Sequence, residues 1–250
     1  MRPLADRVVL ITGGGSGLGR ATALRLARGG AVPVVADVDT DGAQETVAQV
    51  ERAGGRAEWT RLDVTDSADA DRVVAQVHSR HGDRFDGLVN NAGTDRGAGV
   101  VDVTDEQWNQ VVAVNQSGPL FVTRAFLRAV GAGSRTAERE FPADVVNVIS
   151  ISAISVGADA AAYNSSKAAL AMLTQVMQRE AHEYRWPARI HGLMPSAMNT
   201  PMMEQWHLSD EVMMAPDTVA SAVEFVLTLP PDTFVQNLVI NSRREPGWPR

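Results

Sequence analysis

Val8-Val9-Leu10-Ile11-Thr12-Gly13-Gly14-Gly15-Ser16-Gly17-Leu18-Gly19 decides the fold of this chain. The four leading residues are a short apolar run, the mark of a strand buried on both faces of a parallel sheet. They pass straight into a glycine-rich turn. Residues 20–28 then read as a helix, with Ala21, Leu24 and Ala27 turned inward, Arg20, Arg25 and Arg28 turned outward, and Gly29-Gly30 as its end. Strand, glycine turn and helix in that order make a cradle for a phosphate. Glycines let the backbone come close, and the helix N-terminus offers free N–H groups and the positive end of a dipole.

The next strand, Val32 to Asp37, carries Pro33 near its start, where a missing N–H is tolerated. Asp37 closes it. An acid at that point accepts hydrogen bonds from both hydroxyls of an adenosine ribose and repels a 2′-phosphate. Val38 and Asp39 add no cation to offset the repulsion, so the cofactor expected is NAD rather than NADP. The alternation continues along the chain. Helix 41–53 is followed by a strand over 56–64, a helix from Asp66 or Ser67 to His81, and a strand over 85–89 that meets Asn90-Asn91-Ala92-Gly93. Thr104-Asp105-Glu106-Gln107 is a capping box opening one long helix through Val111, Val112 and Val114 to Asn115. A polar loop over 131–142 leads to a strand over 145–149 that ends at Ser150. A helix to about Tyr184, a strand over 189–194, an irregular stretch over 195–215, a helix over 216–229 and a strand over 238–240 complete the chain. Seven strands and six helices in alternation predict an α/β fold. It is a three-layer Rossmann-type doubly wound sheet of seven mainly parallel strands flanked by helices, formed as a single domain over residues 1–250.

Composition removes several function classes. The 250 residues include no cysteine, which excludes a thiolate nucleophile and a zinc–thiolate site. A net charge of −7 with scattered basic residues argues against a nucleic-acid binder. No stretch approaches the roughly 18–20 continuous apolar residues of a membrane span. The segment Met1 to Arg7 places charge where a signal peptide needs its apolar core, so a cytoplasmic location is expected. The five histidines give no convincing metal spacing; His78 and His81 share a helix face near its end, as surface residues do.

Chemistry enters with Tyr163-Asn164-Ser165-Ser166-Lys167. A tyrosine and a lysine four apart on a helix project from one face. A free phenol has a pKa of about 10, and a fixed ammonium beside it favours the phenolate and brings it toward the working range. Ser150, at a strand end thirteen residues upstream, can hold a substrate oxygen beside that phenol. Such a set suits proton transfer at an alcohol or a carbonyl. Asn115 is an amide in an apolar helical stretch: either a buried amide bonded to neighbouring backbone or a direct participant.

With these motifs in this order, residues 4–241 resemble a classical short-chain dehydrogenase/reductase. Thr12-Gly13 with Gly17 and Gly19, Asp63, Asn90-Asn91-Ala92-Gly93, Asn115, Ser150, Tyr163 and Lys167 carry the resemblance. It implies catalytic roles for Ser150, Tyr163, Lys167 and Asn115. Tyr163 is the acid/base and Ser150 orients the substrate oxygen. Lys167 lowers the phenol pKa and binds the nicotinamide ribose, and Asn115 holds a water on the way from Lys167 to solvent. It implies an NAD site formed by Gly13, Ser16, Gly17, Leu18, Gly19, Asp37, Asp63, Val64, Asn91, Ala92, Gly93, Tyr163, Lys167, Pro195 and Thr200, with no metal. Ser152 stands at the wrong spacing to replace Ser150. The resemblance also implies a homo-oligomer, dimer or tetramer, and a substrate lid over 196–215.

Two departures stand out. Pro195-Ser196 replaces the family's usual Pro-Gly, and the tail over 241–250 replaces its acidic, double-glycine ending. Trp248 in that tail is either a contact with a partner chain or part of a frayed end. Met198, Met202, Met203, Met213, Met214 and Trp206 suggest an apolar lid. Ala153, Gly157, Ala158 and Ala160 suggest a small apolar wall with Asp159 its single charge, and Thr94, Asp95 and Arg96 the opposite side, Arg96 being the residue that would admit an acidic substrate. The expected substrate is an apolar or aromatic secondary alcohol or ketone. An NADPH-preferring carbonyl reductase and a non-catalytic nucleotide-binding scaffold are the alternatives.

Overall fold

A computed structural model of the chain describes residues 2–131 and 141–244. The expected loop over 131–142 falls mostly outside the described residues, as does the end of the tail with Trp248. The strands β1 (Val8–Thr12), β2 (Val32–Asp37), β3 (Glu58–Arg61), β4 (Phe85–Asn90), β5 (Ala143–Val148), β6 (Ala188–Pro195) and β7 (Leu238–Ile240) form one sheet in the order β3-β2-β1-β4-β5-β6-β7. Every neighbouring pair is parallel. Strand order reverses between β1 and β4, and ligands of open α/β sheets collect at the carboxyl ends beside such a switch point.

Successive side chains of a strand point to opposite faces, so each strand feeds two cores. Val8, Leu10, Val34, Leu88, Val145 and Ile190 pack on one side with α3 (Ser67–His81) and α5 (Gly118–Ala129). There Phe85 and Phe126 meet edge to face, 5.1 Å between ring centres. Val9, Ile11, Val35, Val89, Val146 and Leu193 pack on the other with α1 (Gly17–Arg28) and α7 (Pro216–Leu227). Helix α2 (Thr40–Arg52) flanks β2 and β3, and α6 (Ala161–Glu183) runs beside β6.

Three features differ from the sequence reading. β3 stops at Arg61, an edge strand with alternate residues exposed whose register on β2 ends at Asp37; Leu62 N makes a last bond to Asp37 O at 3.0 Å, and Asp63-Val64 leave the sheet. The long helix after the capping box is interrupted. Helix α4 (Asp105–Val112) passes through a π turn at Ala113–Ser117 before α5 begins. Arg20, expected outside, turns back to the glycine turn. It donates from Nε to Thr46 Oγ1 at 2.9 Å and from Nη2 to the Gly15 carbonyl.

The amino ends of β4, β5 and β6 carry a buried charge cluster. Arg7 donates to Asp86 Oδ1 and Asp144 Oδ2, each at 2.8 Å, and Arg189 Nε to Asp144 Oδ1 at 2.9 Å. Arg2 pairs with Asp86. The His191 Nδ1 accepts the Val235 N–H at 3.1 Å, so the ring proton sits on Nε2, which faces Asp144 Oδ1 at 3.1 Å. These clamps hold the end of the sheet opposite the site. Among the described residues no helix is long and apolar enough to cross a membrane.

Candidate active site

The glycine turn is pinned to the end of β4. Thr12 Oγ1 accepts the N–H groups of Asn91 at 3.1 Å and Ala92 at 3.0 Å. Asn91 Nδ2 donates to the carbonyls of Thr12 at 3.0 Å and Gly13 at 2.9 Å. The turn must then double back on itself. Gly13 has φ +62°, and a Cβ there would lie 2.8 Å from Ala92 Cα. At Gly19 a Cβ would run into the Gly13 carbonyl and stand 2.7 Å from Asn91 Nδ2. Gly19→Ala is therefore expected to cost about 1–3 kcal/mol of overpacking. It should also weaken nicotinamide-cofactor binding, as calorimetric titration beside a thermal melt would measure.

At the turn's far side, Asp37 Oδ2 accepts the Gly15 N–H at 2.8 Å and Oδ1 the Asp39 N–H at 3.0 Å. The carboxylate is thereby fixed at the mouth of the phosphate cradle. Asp63 Oδ1 accepts from Thr65 N at 3.0 Å and Thr65 Oγ1 at 2.7 Å, which orients the segment containing Val64.

One cavity of about 620 Å³ collects nearly all the expected residues: Gly13, Ser16, Gly17, Leu18, Asp37, Asp63, Val64, Asn91, Ala92, Gly93, Ser150, Tyr163, Lys167, Pro195 and Thr200. Gly19 and Asn115 lie behind its surface. Tyr163 is half-buried at the cavity wall, enclosed by protein atoms, and that desolvation pushes its phenol up to about 12. A hydrogen bond with Ser150 works the other way, and the Asp95 charge adds to the rise. Lys167 is buried; its Nζ donates to the Val148 carbonyl at 3.0 Å and stands 5.7 Å from the centre of the Tyr163 ring. Burial brings it down to about 8, against a partial offset from Asp95. The phenol thus lies above its ordinary value in this state, where the spacing led to the expectation of a lowered one, and burial is the largest cause.

The π turn carries Asn115 into the protein, where it is fully buried. Its Oδ1 accepts Thr94 N at 2.8 Å; its Nδ2 donates to Thr94 O at 2.8 Å and Ser166 Oγ at 3.1 Å. Both amide hydrogens are engaged, so the side chain clamps the loop after Gly93 to α6.

The two family departures meet. Ser196 N donates to Ile240 O at 2.8 Å, and the Ser196 hydroxyl accepts Ser242 N at 3.0 Å. A side-chain oxygen that glycine lacks ties the start of the segment over 196–215 to the residues after β7.

On the substrate side, Met198, Met202, Met203, Trp206 and Leu208 line the cavity with Ile151, Gly157, Ala158 and Ala160. Met214, expected in the lid, is buried in the core beside Val219 instead, because residues 198 and 214 pair as a bridge at the lid's base. Met213 and Ala153 are likewise absent from the lining. Asp159 turns toward Gly99, and Arg96 folds back on Thr94 Oγ1 and the Asp95 carbonyl. Neither presents its charge to the cavity. Sequence reading missed the contact of Trp206 Nε1 with Asp95 Oδ2 at 3.0 Å, which no local spacing announces. Burial raises the Asp95 carboxyl above the ordinary aspartate range, against the Trp206 hydrogen bond and the charges of Arg96 and Lys167. Among the described residues no group of three or more His, Asp or Glu is placed to hold a metal ion.

The sequence profile described as short chain dehydrogenase matches residues 7–211. A probable oxidoreductase, EphD of Mycobacterium tuberculosis, is 37% identical over 175 residues, 70% of this chain but 28% of that protein, so the chain spans less than a third of it. The cyclopentanol dehydrogenase of Comamonas testosteroni is 31% identical over 204 residues, covering 80% of this chain and 76% of its own length. Among solved structures, an alcohol dehydrogenase of the archaeon Thermococcus sibiricus, complexed with 5-hydroxy-NADP, superposes with a TM-score of 0.84 at 25% identity, over 96% of this chain and 98% of that one.

Proposed function

Because the chain belongs to the short-chain dehydrogenase family of oxidoreductases, which bind nicotinamide cofactors, we propose that it interconverts a secondary alcohol and a ketone with NAD(H). The observation that carries the reading is the convergence of Ser150, Tyr163 and Lys167 on the cavity that the glycine turn opens into.

The residues fit the cofactor. Gly13 and Gly17 line the cavity at the start of α1, in a turn so tight that a Cβ at Gly13 or Gly19 would strike its own backbone or that of β4's end, and such a turn suits a pyrophosphate. Asp37 would hold the adenosine ribose, and Asp63 and Val64 the adenine. Asn91, Ala92, Gly93 and Lys167 would hold the nicotinamide ribose, with Pro195 and Thr200 at the nicotinamide. When bound, the nicotinamide accepts or supplies the hydride. Tyr163 moves the proton at the substrate oxygen, giving it to a ketone or taking it from an alcohol. Ser150 holds that oxygen against the phenol. Asn115 fixes the loop after Gly93 to α6 through Thr94 and Ser166. The methionine-lined lid suits an apolar or aromatic substrate.

An absorbance assay for reduced nicotinamide, run on a panel of secondary alcohols with NAD and NADP in parallel, tests this reading. Turnover with NAD supports it; silence across the panel with cofactor still bound favours a non-catalytic scaffold. A preference for NADP would favour the carbonyl-reductase alternative, which the archaeal structure with an NADP analogue brings forward. Asp37→Ser removes the repelling carboxylate. It is expected to shift the NAD-to-NADP ratio of kcat/KM toward NADP by ~10–100-fold, each tenfold being about 1.4 kcal/mol.

A homo-oligomer is part of the proposal, supported by exposed apolar side chains at Met172 and Val176 on α6 and at Phe225 on α7. Light scattering after gel filtration reads the mass.

A further inference from the structure

The lid meets the segment after Gly93 through side-chain contacts of two adjacent residues, Gln205 and Trp206. Trp206 ends the short 3-10 turn Pro201–Trp206 and donates its indole N–H to Asp95 Oδ2 at 3.0 Å. Its ring lies on Gly97, where a Cβ would meet the ring carbons at 3.2 Å, and Gly97 N donates to Gln205 Oε1 at 3.3 Å. Asp95 itself is 5% exposed. It belongs to the segment that Asn115 clamps at Thr94, and the backbone two residues earlier passes beside Lys167: a Cβ on Gly93 would lie 3.7 Å from Lys167 Nζ.

Stability does not explain an acid here. Oδ1 of Asp95 is buried without a hydrogen-bond partner; the Arg96 amide favours the charge but makes no aligned bond to it. A buried carboxylate with an unmet oxygen costs free energy, and an apolar residue at this place would remove that cost. Lys167, Tyr163 and Arg96 are the ionisable groups that act on it or respond to it.

We propose that Asp95 is a positioning residue and, with Trp206, a latch: lid closure brings the indole N–H onto the carboxylate and fixes it in the segment that passes beside Lys167. The inference rests on the oxidoreductase reading above and deepens it. That charge favours the ammonium of Lys167, which the cofactor ribose requires, and disfavours the phenolate of Tyr163. A closed lid therefore keeps the proton on the phenol, the state that donates to a ketone oxygen. Opening the lid takes the indole away and lets water reach Asp95, which weakens its field on both groups.

Two measurements that need no substrate test the latch. Hydrogen exchange of the lid amides, residues 197–214, is compared in the native chain, Trp206→Phe and Asp95→Asn, with Asp95→Ser as a second variant should the amide misfold. Each substitution is expected to speed exchange in the lid ~10-fold, with the sheet unchanged. Calorimetric affinity for NADH is then followed from neutral to alkaline pH. Affinity should fall as Lys167 loses its proton. Without the carboxylate that loss comes at lower pH, so the midpoint moves down in Asp95→Asn and less in Trp206→Phe, which keeps the acid. Unchanged lid exchange in Trp206→Phe overturns the latch, and an unmoved midpoint in Asp95→Asn overturns its charge role. A substrate panel without turnover overturns the alcohol–ketone reading alone and leaves both results standing.

Discussion

Replacing Tyr163 with phenylalanine is expected to lower kcat by ~10²–10⁴-fold, the range that a positioned acid or base contributes. The change removes one oxygen from a residue whose ring stays seated on α6, so cofactor affinity should hold within about twofold, well under 1 kcal/mol. The loss should therefore appear in kcat and kcat/KM alike, the pattern of an interaction made only in the transition state. Steady-state kinetics with calorimetry of the same preparation separate the two. Equal losses in cofactor affinity and turnover would mean that the phenol is a binding group. The half-buried phenol, pushed up to about 12, keeps its proton at neutral pH in the cofactor-free protein. Alcohol oxidation, which needs the phenolate, should accordingly rise with pH through the alkaline range, while ketone reduction should not.

The largest effect on stability is expected at the opposite end of the sheet. Asp144 is fully buried and meets Arg7, Arg189 and His191. Asp144→Ala leaves Arg2 and Arg7 on the single carboxylate of Asp86 and takes from the buried Arg189 its carboxylate partner. Removing one partner of a buried ion pair costs about 3–5 kcal/mol. For a chain of this size each kcal/mol lowers Tm by roughly 2–4 °C, so a drop of about 6–20 °C is expected by calorimetry. A drop of less than about 2 °C would mean that water has entered the cluster. The cluster also sets an acid limit. Burial pulls the Asp144 carboxyl up, but the His191 hydrogen bond and the Arg7 and Arg189 charges prevail and hold it below the ordinary range. A depressed pKa contributes stability above the unfolded value that is lost as pH falls through the folded one. Asp144 therefore favours the fold at neutral pH and ceases to do so in strong acid. Asp86, whose carboxyl burial raises, acts in the opposite sense.

The sequence carries this site unevenly. The glycine turn, the strand ends at Asp37, Asn90 and Ser150, and the spacing of Tyr163 from Lys167 are local patterns, and local geometry follows from them directly. Spacing names neighbours but says nothing of water. The direction of the Tyr163 shift is not legible in spacing, because desolvation depends on what the rest of the chain packs around the ring. The π turn at Ala113–Ser117 was invisible for a related reason. One extra residue in a helical turn changes no propensity, and only the need to aim Asn115 at Thr94 exposes it. Arg2, Arg7, Asp86, Asp144 and Arg189 are scattered over the chain, and parallel pairing alone brings them together. Ser196 and Ser242 each read as a departure from the family pattern; that one answers the other required the register of β6 beside β7.

The lid's stem has a consequence for how specificity can change. Ala197 and Met214 are joined by a backbone hydrogen bond of 2.9 Å, with a second from Asn199 N to Met214 O at 2.9 Å, so the intervening residues leave and return at nearly one point. Closing such a loop costs an entropy that grows only slowly with its length. Longer or shorter inserts can be grafted onto the same stem without disturbing β6 or α7, so long as Thr200, which lies against Gly17 of the glycine turn, is kept. Retargeting the enzyme to a new substrate therefore calls for a transplant at one hinge, provided that the graft returns an N–H donor to Asp95.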